Sequence, residues 1–219
     1  MSTQRTILAL KIVLWLCALA PGAWLLAGVF LGWLGANPIE RLTHVTGMTT
    51  LVLLLVTLSV TPFRRVTGWN PVIRLRRPLG LFAYFYALCH FSIWFVFDMV
   101  FNVSWMLADI AERPFITVGM SALLVLTPLA LTSTKGWIRR LGKKWTTLHR
   151  GVYLAAVLGV VHFYWLVKAD TRLPVILGAC LLALLLLRAP AVVDRISARN
   201  RSGPAKQPAQ PSLSGSSAP

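Results

Sequence analysis

The stretch RRPLGLFAYFYALCHFSIW, residues 76–94, decides the fold of this protein. Two arginines and a proline open it, and an uncharged apolar run that contains His90 follows. The stretch LHRGVYLAAVLGVVHFYWLVK, residues 148–168, has the same plan, with Arg150 before an apolar run that contains His162. About 20 apolar residues cross the hydrocarbon core of a bilayer. Both stretches therefore predict transmembrane helices that carry a histidine inside the membrane.

The whole chain has the composition of a membrane protein. Hydrophobic residues make up 57% of it and charged residues 13%, whereas an average soluble domain is about half apolar and a quarter charged. The apolar runs predict an all-α polytopic bundle, formed by residues 1–190, with six transmembrane helices. We place these spans at 8–32, 44–63, 78–99, 114–133, 149–168 and 172–189. The first run exceeds the 7–15 apolar residues of a signal peptide, which favours a retained span.

The formal net charge of +16 reflects topology. Ten bases and no acid lie in the connections between spans two and three and between spans four and five: Arg64, Arg65, Arg74, Arg76, Arg77, Lys135, Arg139, Arg140, Lys143 and Lys144. Basic loops stay in the cytoplasm, so we expect a bacterial inner-membrane protein with both termini cytoplasmic and no affinity for nucleic acid. Residues 191–219 are expected to form a cytoplasmic basic tail, disordered from about Asn200.

All four histidines fall inside or at the edge of a predicted span. His90 lies 13 residues beyond Arg77 and His162 lies 12 beyond Arg150, which puts both roughly 18–20 Å into the bilayer. Two imidazoles at equal depth on parallel helices are what one haem iron with two axial histidines requires. The alternative is that any one of them is a hydrogen-bonded interior residue.

The other two histidines are expected at different levels. His149 lies at the cytoplasmic mouth of span five, where it is either a surface histidine or a haem ligand or relay. His44 begins span two near the periplasmic face, a turn or two beyond the level of the pair, and we expect it to be a polar support. Aromatic residues surround His90, which suits a porphyrin, although aromatics also mark membrane interfaces. No internal repeat, dinucleotide motif or phosphate-binding loop is evident.

Residues 76–94 and the run LTSTKGWIRRLGKKWTTLHRGVYLAAVLGVVHFYWLVK, residues 131–168, resemble the MsrQ (YedZ) family within the ferric-reductase-like transmembrane group. The most specific pieces are LGKxWxxLHxxVYL and VHFYWLVK, whose histidines are His149 and His162 here. The resemblance implies a subunit that holds b-type haem and FMN. It implies delivery of electrons, from the quinone pool or a cytoplasmic NADH-dependent flavin reductase, to the periplasmic molybdopterin enzyme MsrP, which reduces methionine sulfoxide.

The residues allow three functions. We expect an electron-transfer subunit, rather than a complete enzyme, in which His90 and His162 bind haem iron. The alternatives are a stand-alone transmembrane ferric or quinone reductase, and a transporter or assembly factor whose histidines relay protons. A further hypothesis is that the basic face holds an FMN phosphate through charge-assisted hydrogen bonds, foremost from Arg76 and Arg77 with Arg74, Lys143 and Lys144 beside them.

Overall fold

The structure, a computed structural model, describes residues 3–189, and its regular structure there is helical. The helices are α1 (Thr3–Leu31), α2 (Pro38–Thr67), α3 (Arg76–Ile93), α4 (Val103–Glu112), α5 (Pro114–Leu131), α6 (Lys135–Leu141), α7 (Lys143–Leu148), α8 (Gly151–Leu166) and α9 (Arg172–Leu186). A 3₁₀ segment, Asn70–Leu75, leads into α3, and a π-helical turn, Trp94–Asp98, follows it. The predicted all-α fold is confirmed, and the predicted tail lies outside the described residues.

A helix occupies each of the six places where the sequence predicts a span, but these helices differ in length. Four helical segments are long and apolar enough to cross a membrane by length and composition: Gln4–Leu31, Pro38–Thr67, Asn70–Asp98 and Pro114–Leu131. The last two predicted spans correspond to α8, with 16 residues, and α9, with 15. Pro114 is at the first position of α5, where its missing N–H has no helical partner to lose.

Three details differ from the predicted pattern. The third span is not one continuous α-helix, because the π-helical turn replaces it after Ile93 and is followed by Val100 and Phe101 with positive φ angles. The fifth span begins at Gly151 instead of residue 149, which places His149 before α8. The short helices α4, α6 and α7 fill connections for which the sequence predicted no helix.

Two helix pairs form the centre of the bundle. The most extensive packing is between α2 and α3 and between α5 and α8, and α9 lies against α8 and α2. Ala83, Ala155 and Ala156 are fully buried in the main apolar cluster with Leu58. Small residues let transmembrane helices approach closely, and this close approach brings α3 and α8 near the backbones of their partners.

Tyr86 joins α3 to α1 beside Pro21. The amide of Gly22 donates to the Tyr86 hydroxyl at 2.9 Å, and that hydroxyl donates to the carbonyl of Ala18 at 2.6 Å. In an unbroken helix Gly22 would donate to Ala18 directly. The hydroxyl is therefore inserted into the hydrogen-bond ladder of α1 beside Pro21, where a neighbouring side chain restores the polar pairing that a membrane requires.

Candidate functional site

The rings of His90 on α3 and His162 on α8 face each other inside the bundle. Their centroids are 6.1 Å apart and their planes are nearly perpendicular, at 85°. Both residues are partly buried. The two imidazoles therefore meet, as their equal predicted depth requires.

Each of these rings is fixed through the same nitrogen. His90 Nδ1 donates to the carbonyl of Thr43 on α2 at 2.9 Å, and His162 Nδ1 donates to the carbonyl of Phe115 on α5 at 2.6 Å. A carbonyl oxygen only accepts hydrogen bonds, so the hydrogen of each neutral ring is on Nδ1. The lone pair is then on Nε2, which is the form in which a histidine binds a metal.

A glycine makes room for each ring. A Cβ atom at Gly47 would lie 2.9 Å from His90 Nδ1, and one at Gly119 would lie 2.7 Å from His162 Nδ1. Contacts under 3.0 Å are not tolerated by real Cβ atoms. Gly47 and Gly119 thus allow the imidazoles to approach the backbones of α2 and α5 closely enough to reach their carbonyls.

The two histidines are separated from their partners by the same number of residues. His90 and His162 are each 47 residues beyond the carbonyl that they contact. Each is also 43 residues beyond its glycine, since 90 minus 47 and 162 minus 119 both give 43. The pair α2 and α3 and the pair α5 and α8 therefore hold their histidines by the same local arrangement. No repeat is evident in the sequence, because the two halves of the site share only one glycine and their contacts with backbone carbonyls.

His44 does not join the pair. It is exposed and lines a cleft of about 590 Å³ between α1 and α2, together with Cys17, Trp24 and Met48. Its ring centroid is 6.4 Å from that of Phe163. The carbonyl of the preceding residue, Thr43, accepts from His90, so His44 lies at the level of the pair. The prediction that it lies a turn or two beyond that level was wrong, because α2 places the residue before it, Thr43, against the ring of His90.

His149 is held in the corner between α5 and α7. Its Nδ1 contacts the carbonyl of Trp145 at 3.1 Å, and its Nε2 lies 3.1 Å from the carbonyl of Leu129 and 3.4 Å from the Ser133 hydroxyl. Its ring stacks on Trp145 with centroids 3.8 Å apart. Both ring nitrogens thus already have polar neighbours, in contrast to Nε2 of His90 and His162.

The basic residues predicted to hold a phosphate are mostly exposed. Arg76, in the first turn of α3, is partly buried and within electrostatic reach of His149. Arg77, Arg74, Lys143 and Lys144 are exposed. The structure adds one basic residue, Arg188, to those that the sequence singled out. Sequence reasoning missed it because it lies at the edge of the basic tail.

Residues 44–160 match the family described as the ferric reductase like transmembrane component. That range contains His44, His90 and His149, together with both glycines of the site. The class of protein is therefore a transmembrane protein of the ferric-reductase type.

Several similar proteins share one name, protein-methionine-sulfoxide reductase heme-binding subunit MsrQ. The protein from Herminiimonas arsenicoxydans is 50% identical over 82% of this chain and 84% of its own length. Those from Ralstonia nicotianae and Caulobacter vibrioides are 48% and 46% identical, over 75% and 80% of this chain and 76% and 84% of their own lengths. This chain belongs to the MsrQ family.

Proposed function

We propose that this protein is the haem-binding membrane subunit of a methionine sulfoxide reductase system, with haem b held between His90 and His162. The observation that supports it is the histidine pair itself. Both rings are fixed through Nδ1, both keep Nε2 available, and they face each other between four packed helices. The names of the relatives point to the same cofactor.

The donor set fits haem better than a bare metal ion. Within residues 3–189, no three side chains of His, Cys, Asp or Glu gather where they could hold a metal. Two imidazoles alone suit an iron whose other ligands come from a porphyrin. The ring centroids of His90 and His162 are 6.1 Å apart, so these two residues would hold the iron of a haem that bound between α3 and α8.

The chain's own residues set the conditions for electron transfer. Haem ligated by two imidazoles supplies one-electron chemistry at a potential tuned by its ligands and surroundings. The carbonyls of Thr43 and Phe115 fix the tautomer and the orientation of the two histidines and increase the basicity of Nε2. Phe115, whose ring centroid is 6.1 Å from that of His162, and the surrounding apolar helices keep water away. A rigid, dry pair of ligands suits a carrier with no substrate of its own.

The proposal also covers the location of the protein in the cell and the proteins with which it exchanges electrons. We assign the chain to the bacterial inner membrane with six spans and both termini cytoplasmic, because the basic connections carry the cytoplasmic signature. Electrons then pass from the quinone pool or a cytoplasmic NADH-dependent flavin reductase to the periplasmic molybdopterin subunit, MsrP. The names of the relatives support a methionine sulfoxide reductase system, and the family resemblance supports this donor, acceptor and direction.

Haem content of histidine variants tests the assignment. We expect His90→Ala and His162→Ala each to lose nearly all haem in a pyridine haemochrome assay on purified protein, because an iron between two helices needs both ligands. His44→Ala is the matched control and should keep its haem. Retained haem in both His90→Ala and His162→Ala would contradict the proposal.

The same assay addresses His149, whose role as a ligand stays a prediction. A second haem there requires the ring to turn away from Leu129 and Ser133. If only the histidine pair binds haem, the purified protein carries one haem per chain and His149→Ala keeps it. A ratio of two that falls to one in His149→Ala assigns a second haem to this position.

FMN binding at the basic face is a separate part of the proposal. Arg76 and Arg77 begin α3, where the helix N-terminus and two guanidinium groups favour a phosphate. We expect replacement of both by Gln to lower the FMN content of the purified protein several-fold without changing its haem content. Unchanged FMN content would remove the site from these residues.

A further inference from the structure

Arg188, just beyond the end of α9, is fixed between α2 and α8. Its guanidinium donates to the carbonyl of Leu58 and to the hydroxyl of Tyr153, and it lies 5.0 Å from the centroid of the Tyr153 ring. The Leu58 carbonyl is available because Pro62, four residues later, has no N–H to donate to it. A structural role explains these contacts by themselves: the arginine donates a hydrogen bond to a carbonyl that has no helical donor because of the proline.

Within residues 3–189, two buried polar atoms on these elements have no hydrogen-bond partner. They are Arg188 Nε and Thr61 Oγ1. Thr61 is three residues beyond Leu58, on the same side of α2. Five other threonines of α2 donate to the carbonyl four residues before them: Thr43, Thr46, Thr50, Thr57 and Thr67. Thr61 differs from them, and a buried donor without an acceptor is costly. An acceptor-rich ligand would satisfy both atoms.

The charge around these donors is positive. Arg76 and Arg65 are both within electrostatic reach of Arg188. Arg65 is seven residues beyond Leu58, which returns it to the same face of α2. In the part of the chain that the structure describes, no carboxylate contacts Arg76 or Arg188. Like charges held together beside buried donors repel one another, and a bound anion would offset that repulsion.

We propose that Arg188, Thr61 and Arg76 form an anion site that takes a phosphate group. A phosphate offers several acceptor oxygens to guanidinium and hydroxyl donors that come from α2, α3 and the end of α9. The phosphate belongs either to an anionic lipid headgroup at this end of the bundle or to a water-soluble phosphate compound. The inference does not depend on haem or flavin binding.

Thermal unfolding of the purified full chain in nanodiscs tests the site. One arm uses phosphatidylcholine nanodiscs and compares inorganic phosphate with chloride at equal ionic strength. The other arm compares phosphatidylcholine nanodiscs with nanodiscs that contain phosphatidylglycerol. An anion that binds the folded state raises the Tm. We expect a rise in one arm, and that arm identifies the source of the phosphate.

Variants separate specific binding from general charge. Arg188→Gln, Arg76→Gln and Thr61→Val should each weaken the apparent affinity about tenfold, as expected for loss of one charge-assisted hydrogen bond. Thr61→Val keeps the shape of the side chain and Arg76 has no hydrogen bond to lose, so neither result depends on damage to the fold. Arg139→Gln, which removes an exposed charge on α6, should leave the affinity unchanged.

Three outcomes would overturn the inference. One is no rise in Tm in either arm, and another is an equal response of wild type and all three site variants. The third involves Asp194, which lies outside the described residues. If phosphate stabilises only Asp194→Asn and not the wild type, the chain's own carboxylate fills the site and no external anion belongs there.

Discussion

At the scale of single residues, a hydrogen bond to the main chain decides what each imidazole can do. Nδ1 of His90 and of His162 donates to a helix carbonyl, which leaves Nε2 as the atom with the lone pair. His149 has polar neighbours at both nitrogens and therefore presents no comparable free atom. The three histidines thus differ in whether a ring nitrogen is available to bind a metal. The difference comes from backbone atoms on neighbouring helices.

The glycines beside the two rings give the first prediction at this scale. In Gly47→Ala and Gly119→Ala, the new methyl group would lie within 3.0 Å of an imidazole, so the ring must move away from its carbonyl. We expect either change to lower haem content several-fold and to shift the midpoint potential of the haem that remains, because orientation and basicity of the ligand both change. Potentiometric titration of the purified protein measures this shift.

Gly80→Ala is the control for the glycine variants. Gly80 lies on α3 ten residues before His90, and a Cβ there would meet only Thr57 at 3.9 Å, which is an ordinary contact. It should therefore leave haem content and potential unchanged. Normal haem in Gly47→Ala and Gly119→Ala would mean that the close approach of the rings to α2 and α5 has no part in cofactor binding.

The sequence could predict the histidine pair but not the backbone carbonyls that hold the two rings in place. Counting residues from Arg77 and Arg150 places His90 and His162 at one depth, because a helix has a fixed rise. The partners of the rings are the carbonyls of Thr43 and Phe115, and a carbonyl is present in every residue, so no side chain marks them. The only local signal was a glycine inside each neighbouring span, and glycine is common in transmembrane helices for other reasons.

At the scale of helices, the predicted starts agree with the structure to different degrees. Pro114 begins α5 and Arg172 begins α9 as predicted, whereas α3 begins at Arg76, two residues before the predicted start at Pro78. The start of α8 was wrong by two residues, because His149 caps the end of α7 and the chain turns before Gly151. The break between α6 and α7 occurs at Gly142, whose φ of 50° favours glycine. Such turns inside an apolar or basic run leave little trace in hydropathy.

The bridge between α1 and α3 gives a prediction at the same scale. Tyr86→Phe removes a hydroxyl that pairs with both the amide of Gly22 and the carbonyl of Ala18. We expect a loss of about 1–2 kcal/mol in the free energy of unfolding, since two backbone groups lose a partner in a buried place. Denaturant titration in detergent micelles measures it. Tyr84→Phe, whose hydroxyl has only a 3.4 Å contact with Thr127, should change the stability much less, and equal effects would argue against the bridge.

At the scale of the whole molecule, the basic segments of the bundle meet at one end. Arg188, beyond α9, contacts Leu58 in the second half of α2 and Tyr153 in the first turn of α8. It is also within electrostatic reach of Arg76 at the start of α3. The end of α2, the start of α3, the start of α8 and the end of α9 therefore lie together. That arrangement agrees with helices of alternating direction.

Labelling of cysteines introduced at single positions measures this topology. In a background with Cys17, Cys89 and Cys180 replaced by Ala, we expect Asp170→Cys to react with a membrane-impermeant maleimide in intact spheroplasts, because its connection carries few bases. Lys143→Cys, in a basic connection, should react only after the membrane is permeabilised. Both positions are exposed in the structure, so accessibility within the protein is matched. Labelling of Lys143→Cys from outside would reverse the orientation, and the direction of electron flow inferred from it would have to be reversed as well.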